Sequence, residues 1–172
     1  MTVYTTVDSP VGELLLVGEE SSGATGGVAL ASLSMPEQKG GVVVREGWRR
    51  APEAFAEVRR QLSAYFDGTL TGFTLTCTDQ GTDFQRKVWA ALEDIPYGTT
   101  TSYGQLAERA GISRAAVRAL GAAIGANPLL LVRPCHRVIG ADGSLTGYAA
   151  GLERKRQLLA HEGALGPSAG GA

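Results

Sequence analysis

Cysteine is scarce in this 172-residue chain: Cys77 and Cys135 are the only two. Two cysteines make no disulfide framework. A reducing, intracellular compartment fits, where a thiol stays free. Soft metal ligands are equally few. Beyond the cysteines there are only His136 and His161, with no C-x-x-C or H-x-x-x-H pair, so no metal site is expected. No apolar run reaches membrane-spanning length. The start, Met1-Thr2-Val3-Tyr4, lacks the basic stretch and apolar core of a signal peptide. Internal repeats are absent. These absences lead to the expectation of a cytoplasmic, monomeric protein with neither cofactor nor membrane attachment. What is present suffices for one or two small domains, since 44% of the residues are hydrophobic.

Net charge is only -1, which by itself argues against a polyanionic partner. Its distribution is uneven. Residues 1–81 hold six Lys/Arg against ten Asp/Glu, whereas residues 82–172 hold ten against seven. The second half is thus the one suited to face an anion.

The pattern also divides into halves. In the first, Val3–Val7 and Glu13–Val17 flank the turn-rich Asp8-Ser9-Pro10-Val11-Gly12 and predict a β-hairpin. Val28–Leu33 predicts a third strand, Val42–Val44 a short one and Phe73–Cys77 another. Pro52–Phe66 predicts a helix with Phe55, Val58, Leu62 and Phe66 on one face. The first half is therefore expected to be α+β, a small antiparallel sheet with a helix.

The second half is expected to be mainly helical. Thr82…Gln85 and Ser102…Gln105 both have capping-box spacing, the first opening a helix with Phe84, Val88, Leu92 and Ile95 along one face. The second opens a short helix to Ala110. Gly111-Ile112 makes a turn, and Ser113 caps a third helix to about Ala126 with Val117, Leu120 and Ile124 inward. A helix, a tight glycine turn and a second helix form a helix-turn-helix pattern. The apolar run Leu129–Val132 predicts an extended buried segment, and Gly151–Glu162 a last amphipathic helix. The expected division is 1–78, 79–163 and a disordered tail over 164–172.

Pro134-Cys135-His136-Arg137-Val138 places a thiol beside an imidazole. Thiolate is the nucleophilic form, and nearby cations stabilise it, a role open to His136 and Arg137. Adjacent side chains of an extended strand point to opposite faces, so a turn or a bridging water is needed for Cys135 and His136 to cooperate. In the helix-turn-helix the second helix carries Arg114 and Arg118 among Ala115, Ala116, Ala119, Ala122, Ala123 and Gly125. Such a small, smooth helix suits close approach to a nucleic-acid groove, and equally plain packing against other helices. An enzyme acting on a base must take it out of the stack. A gripping helix, an arginine for the vacated space and a nucleophile form a coherent set.

Several motifs agree in order and spacing with one family. They are Phe84-Gln85-Arg86-Lys87-Val88-Trp89, Ile95-Pro96-Tyr97-Gly98-Thr99-Thr100, Asn127-Pro128, the Pro134–Val138 stretch and Gly147-Tyr148. The chain resembles the methylated-DNA–protein-cysteine methyltransferases, or O6-alkylguanine-DNA alkyltransferases. The resemblance is closest from about Thr82 to Gly163 and weaker over the Val3–Val17 hairpin and Leu62–Gly68. It implies a ribonuclease H-like N-terminal domain and a C-terminal domain with a helix-turn-helix of winged-helix type. It further implies minor-groove binding of duplex DNA, extrusion of the damaged nucleotide, and irreversible transfer of an alkyl group from guanine O6 to cysteine. Thymine O4 is implied as a poorer donor.

Carried over residue by residue, the resemblance makes Cys135 the acceptor and His136 its base, with a water between them. Glu162, in Leu158-Leu159-Ala160-His161-Glu162-Gly163, would hold the imidazole. Tyr103 would donate toward the guanine ring and Arg118 would enter the base stack; Ser102, Ala119 and Arg114 complete the implied DNA contacts. Asn127 would brace the active-site turn, and Pro134, Val138, Tyr148, Ala149 and Ala150 would line the base pocket. Relatives often carry more glycine where this chain has Ala149-Ala150, which would narrow the pocket. One residue is added around Ile112–Ala115, and the ligands of the structural zinc of some relatives are not visible. Two other classes use the same residues: a cysteine hydrolase built on Cys135 and His136, and a non-catalytic sensor of alkylated DNA on the same fold.

Overall fold

The computed structural model describes residues 1–165, and of the tail expected over 164–172 all but Ala164 and Leu165 lie outside the described residues. The chain divides into two compact units after Asp79. Each has its own core.

In the first unit the hairpin forms as β1 (Thr2–Val7) and β2 (Leu14–Glu20), paired antiparallel from Thr2↔Glu19 to Val7↔Leu14. β3 (Val28–Ser34) continues the sheet antiparallel on β2. A two-residue strand, β4 (Arg49–Arg50), adds a parallel edge to β1. The sheet order is β3-β2-β1-β4. Pro52–Phe55 makes a 3₁₀ turn and α1 (Ala56–Phe66) follows. Its buried face is Val58, Gln61, Leu62 and Tyr65, continuing from the buried Phe55 of the preceding turn. Tyr65 thus takes the inward place expected of Phe66, which is half-buried.

Two expected strands do not form. Val42, Val43 and Val44 are 37%, 77% and 40% exposed, and no strand among the described residues pairs with them. β-branched residues favour strands only where a pleated neighbour receives them. In Phe73–Cys77 a single parallel bridge, Leu30↔Cys77, is all that is strand-like. The reason is a competing partner. The buried Gln61 amide accepts from Thr74 N at 2.9 Å and donates to Thr74 O at 3.2 Å, so those backbone groups are satisfied by a side chain.

The second unit opens with α2 (Asp83–Glu93), and both halves of its capping box are made between Thr82 and Gln85. β5 (Thr101–Ser102) leads into α3 (Tyr103–Ala110), capped the same way by Ser102 and Gln105. Gly111 closes α3 at φ +68°, a left-handed value that glycine adopts without a Cβ penalty. Arg114–Ala116 forms a 3₁₀ turn capped by Ser113, and α4 (Val117–Gly125) follows. The buried stripe here runs through Ile112, Leu120 and Ala123, while Val117 is 48% exposed. It falls on the outer face beside Arg118, not inward as its apolar character suggests. β6 (Val138–Ile139) pairs parallel with β5, and α5 (Leu152–His161) ends the described helices. Among the described residues no helix is long and apolar enough to cross a membrane.

Close approach fixes Gly18, which sits where the β2–β3 register shifts. A Cβ there would lie 2.6 Å from Val28 Cγ2 and 2.8 Å from the Ala29 carbonyl oxygen. Gly18→Ala should therefore destabilise the protein by about 1–3 kcal/mol, as overpacking typically does. A denaturant titration checks this, and an unchanged midpoint would contradict it.

Candidate active site

Cys135 stands on a chain of tight turns and not on the extended segment expected over Leu129–Val132. Val132 N donates to Leu130 O at 2.8 Å across Leu131, whose φ is +73°. That is a γ-turn of the left-handed kind, rare and strained for a side-chain-bearing residue. Cys135 N then donates to Arg133 O at 2.7 Å across Pro134, whose φ of -77° and ψ of 62° make an inverse γ-turn. A positive φ at leucine costs about 1–2 kcal/mol. Burial of Leu129, Leu130 and Leu131 and the Asn127 amide offset it. Asn127 Nδ2 donates to Leu129 O at 3.3 Å and Arg133 O at 3.1 Å, and its Oδ1 accepts from Leu129 N at 3.1 Å.

Cys135, His136 and Arg137 form one 3₁₀ turn, all buried. The turn, rather than a strand, carries the adjacent thiol and imidazole. His136 Nε2 lies 2.8 Å from Glu162 Oε2. A carboxylate only accepts, so Nε2 carries the hydrogen and Nδ1 of the neutral ring keeps its lone pair. His136 Nδ1 is buried and has no hydrogen-bond partner among the described residues. Burial pushes the His136 pKa down, against the opposing pull of Glu162, so the ring rests neutral. Arg137 is committed elsewhere: Nε to Glu162 Oε1 at 2.8 Å, Nη2 to Oε2 at 3.0 Å and Nη1 to Ile95 O at 2.6 Å. The cationic surroundings expected of His136 and Arg137 are thus not what faces the thiol.

That charge comes from Lys155. It is 1% exposed, and its Nζ donates to Val138 O and Thr146 O, each at 2.6 Å, and to Gly147 O at 3.3 Å. Burial lowers its pKa to about 8, partly opposed by the charge of Cys135. The thiol itself is pushed up to about 11 by burial, against a hydrogen bond from Asn127 and the Lys155 charge. Lys155 was not singled out from the sequence. Its signal was there: Lys155, Leu158, Leu159 and Glu162 share one helical face, so the lysine lies on the apolar side of a charged run.

The other candidates fall into two groups. Tyr103 OH lies 3.0 Å from Thr146 Oγ1, and Pro134, Val138 and Ala150 are buried, with Tyr148 and Ala149 half-buried. The Val138 carbonyl is held by Lys155. Arg114, Arg118 and Ala119 are exposed, and neither arginine makes an ion pair among the described residues. The structure gives these three no bond to the Cys135 group. Ser102 Oγ accepts from Gln105 N at 3.1 Å and is half-buried at the start of α3.

Family models match both units: residues 2–78 fit the ribonuclease-like domain of 6-O-methylguanine DNA methyltransferase, and residues 83–164 fit its DNA binding domain. The chain belongs to that family. It is 50% identical over 162 residues to the methylated-DNA–protein-cysteine methyltransferase of Mycolicibacterium paratuberculosis, covering 94% of this chain and 93% of that one. It is 47% identical over 168 residues to the Mycobacterium tuberculosis H37Rv protein of the same name, covering 98% and 96%. Among solved structures, Mycobacterium tuberculosis OGT in complex with DNA superposes with a TM-score of 0.83 at 47% identity, covering 94% of this chain and 92% of that one. Its Cys135–Arg137 turn follows Pro134 and is buried.

With a thiol pKa of about 11, thiolate is only about one part in a thousand at pH 8 and grows about tenfold per pH unit. Iodoacetamide labelling of Cys135 in the DNA-free protein should therefore keep rising through pH 9 and 10; a plateau below pH 8, read by peptide mass, would refute a buried resting thiol. Lys155→Met leaves three carbonyls without their donor and should cost about 2 kcal/mol of stability by thermal melting. At pH 7, where Lys155 is still charged, the substitution also removes a charge that favours thiolate, so labelling of Cys135 at that pH should be slower than in wild type.

Proposed function

We propose that this protein repairs DNA by direct reversal, moving the alkyl group of an O6-alkylguanine in duplex DNA onto Cys135. The observation that carries the reading is the buried neutral imidazole of His136, held by Glu162 at Nε2 with Nδ1 left as an acceptor one residue from the only cysteine of the second unit. The 50% identity to a methylated-DNA–protein-cysteine methyltransferase supports the substrate class.

The thiol rests protonated, so attack requires proton transfer. His136 Nδ1 takes the proton, directly or through a water, and Glu162 steadies the imidazolium that forms. Cys135 Sγ then displaces guanine from the alkyl carbon: the S–C bond forms as the C–O6 bond breaks, and the electron pair stays on the purine. The Tyr103 hydroxyl offsets that charge by donating to the ring. Lys155 supports the thiolate electrostatically while its three carbonyl bonds hold the pocket edge at Val138, Thr146 and Gly147. One proton leaves the thiol and one reaches guanine, so the products are S-alkylcysteine and an intact base. A thioether is no leaving group here, and each molecule acts once.

The exposed face of α4, with Arg118 among small residues, is the element proposed to enter the minor groove, residues 79–163 forming the DNA-binding and transfer domain. Arg118 would occupy the space of the extruded base, as side-chain wedges do in minor-groove binders. The Ala149-Ala150 methyls narrow the pocket for bulky adducts, and thymine O4 is a poorer donor. A DNA substrate and a nucleophile that must stay reduced fit a cytoplasmic setting.

Incubation with an O6-methylguanine duplex should add one methyl group per molecule, on the Cys135 peptide. Label on Cys77, or label released over many cycles, would overturn the assignment. Cys135→Ser should abolish transfer and keep DNA affinity within a few-fold. Arg118→Ala should slow transfer at least tenfold, the range expected when one positioned group is lost, without lowering the melting temperature.

A further inference from the structure

Trp89 and Arg133 take no part in the chemistry above, yet they surround the backbone that presents the nucleophile. Arg133 is 9% exposed, and its Nε and Nη1 have no hydrogen-bond partner among the described residues. Its guanidinium carbon lies 4.7 Å from the centroid of the Trp89 ring, and Nε lies 3.5 Å from Glu93 Oε1, beyond hydrogen-bond length. Burying a guanidinium with two of its nitrogens lacking a hydrogen bond is costly, and packing does not require it, since an unbranched apolar side chain fills the same volume. What the arginine has in exchange is the indole face and a long ion pair to the half-exposed Glu93.

The backbone of the same residue is where the nucleophile turn is tied. Arg133 O accepts from Cys135 N at 2.7 Å and from Asn127 Nδ2 at 3.1 Å, and Arg133 N donates to Leu129 O at 3.0 Å. Trp89 is fixed in its turn: Nε1 donates to Ala123 O at 2.9 Å in a buried bond. Ala123 lies on the inner side of α4, whose outer side carries Arg118 and Ala119. We propose that Trp89 and Arg133 are a positioning pair, in which one indole holds the Cys135 turn through its face and α4 through its Nε1–H. The pair keeps the nucleophile in register with the helix that carries Arg118. The inference rests on reading Cys135 as the alkyl acceptor and α4 as the DNA-facing helix.

Full-length wild type, Arg133→Met, Arg133→Lys and Trp89→Phe decide it. Methionine keeps the volume and removes the cation; lysine restores a cation over the ring; phenylalanine keeps a ring face and removes the Nε1 donor. Single-turnover transfer from an O6-methylguanine duplex is measured at saturating DNA, beside the duplex Kd and the melting temperature. Arg133→Met is expected to transfer at least tenfold more slowly, with Kd within twofold and a melting temperature no lower than wild type. A purely structural residue would not give that split. Arg133→Lys should recover to within threefold of wild type, and Trp89→Phe should be slowed at least threefold. The proposal falls if Arg133→Met transfers within twofold of wild type, or if Arg133→Lys is as slow as Arg133→Met. Wild-type speed in Trp89→Phe removes the α4 arm of the pair. Should wild type itself transfer nothing, the repair reading fails, and the pH profile of Cys135 labelling by iodoacetamide decides the pair alone. An upward shift of half a pH unit or more in Arg133→Met but not in Arg133→Lys sustains it, and coincident profiles overturn it.

Discussion

The Glu162 carboxylate is the buried charge around which the nucleophile group is arranged. Oε2 receives the imidazole N–H of His136 and one Arg137 nitrogen, while Oε1 receives the other. A buried ion pair repays its desolvation only when its remaining hydrogen-bonding capacity is met, and here Arg137 also reaches the Ile95 carbonyl. The arrangement does more than hold charge. By taking Nε2–H, the carboxylate leaves Nδ1 as the basic nitrogen. Without Glu162, the tautomer would be undetermined and Arg137 would be a buried cation lacking its counter-ion.

Acidity and nucleophilicity pull in opposite directions at Cys135. Burial raises the thiol pKa to about 11 and so keeps the reactive fraction small. The thiolate that does form is intrinsically stronger, because thiolate nucleophilicity rises with basicity. A sulfur of this kind needs a nearby acceptor for its proton and a nearby positive charge. Lys155 supplies the positive charge, and in the proposed reaction His136 takes the proton. Lys155, its pKa lowered by burial to about 8, keeps its charge at neutral pH and donates to three carbonyl oxygens.

The parts of this architecture that are local in origin were legible in the sequence. Both capping boxes, the hairpin, the third strand and the glycine-closed helix-turn-helix follow from spacing alone, since each is decided within a few residues. What failed was decided by partners far along the chain. Phe73–Cys77 has strand composition, but the Gln61 amide captures its backbone. Val117 is apolar and faces outward because the inner stripe is already filled by Ile112, Leu120 and Ala123. Leu129–Val132 reads as extended because no propensity anticipates a leucine at φ +73°. In the site, the motif residues were named from resemblance, whereas Lys155 was hidden by its charged neighbours, although its helical phase with Leu158, Leu159 and Glu162 pointed inward. Arg133 gave no signal at all, because its role lies in what its side chain stacks on.

If each molecule acts once, as proposed, the near-complete enclosure of Cys135 bears on its shelf life. Peroxides and stray electrophiles of metabolism consume thiolates far faster than thiols. A sulfur that stays protonated and covered is therefore spared while the molecule waits. An accessible, permanently ionised cysteine would be spent on the most abundant oxidant present. This one is instead buried and held protonated.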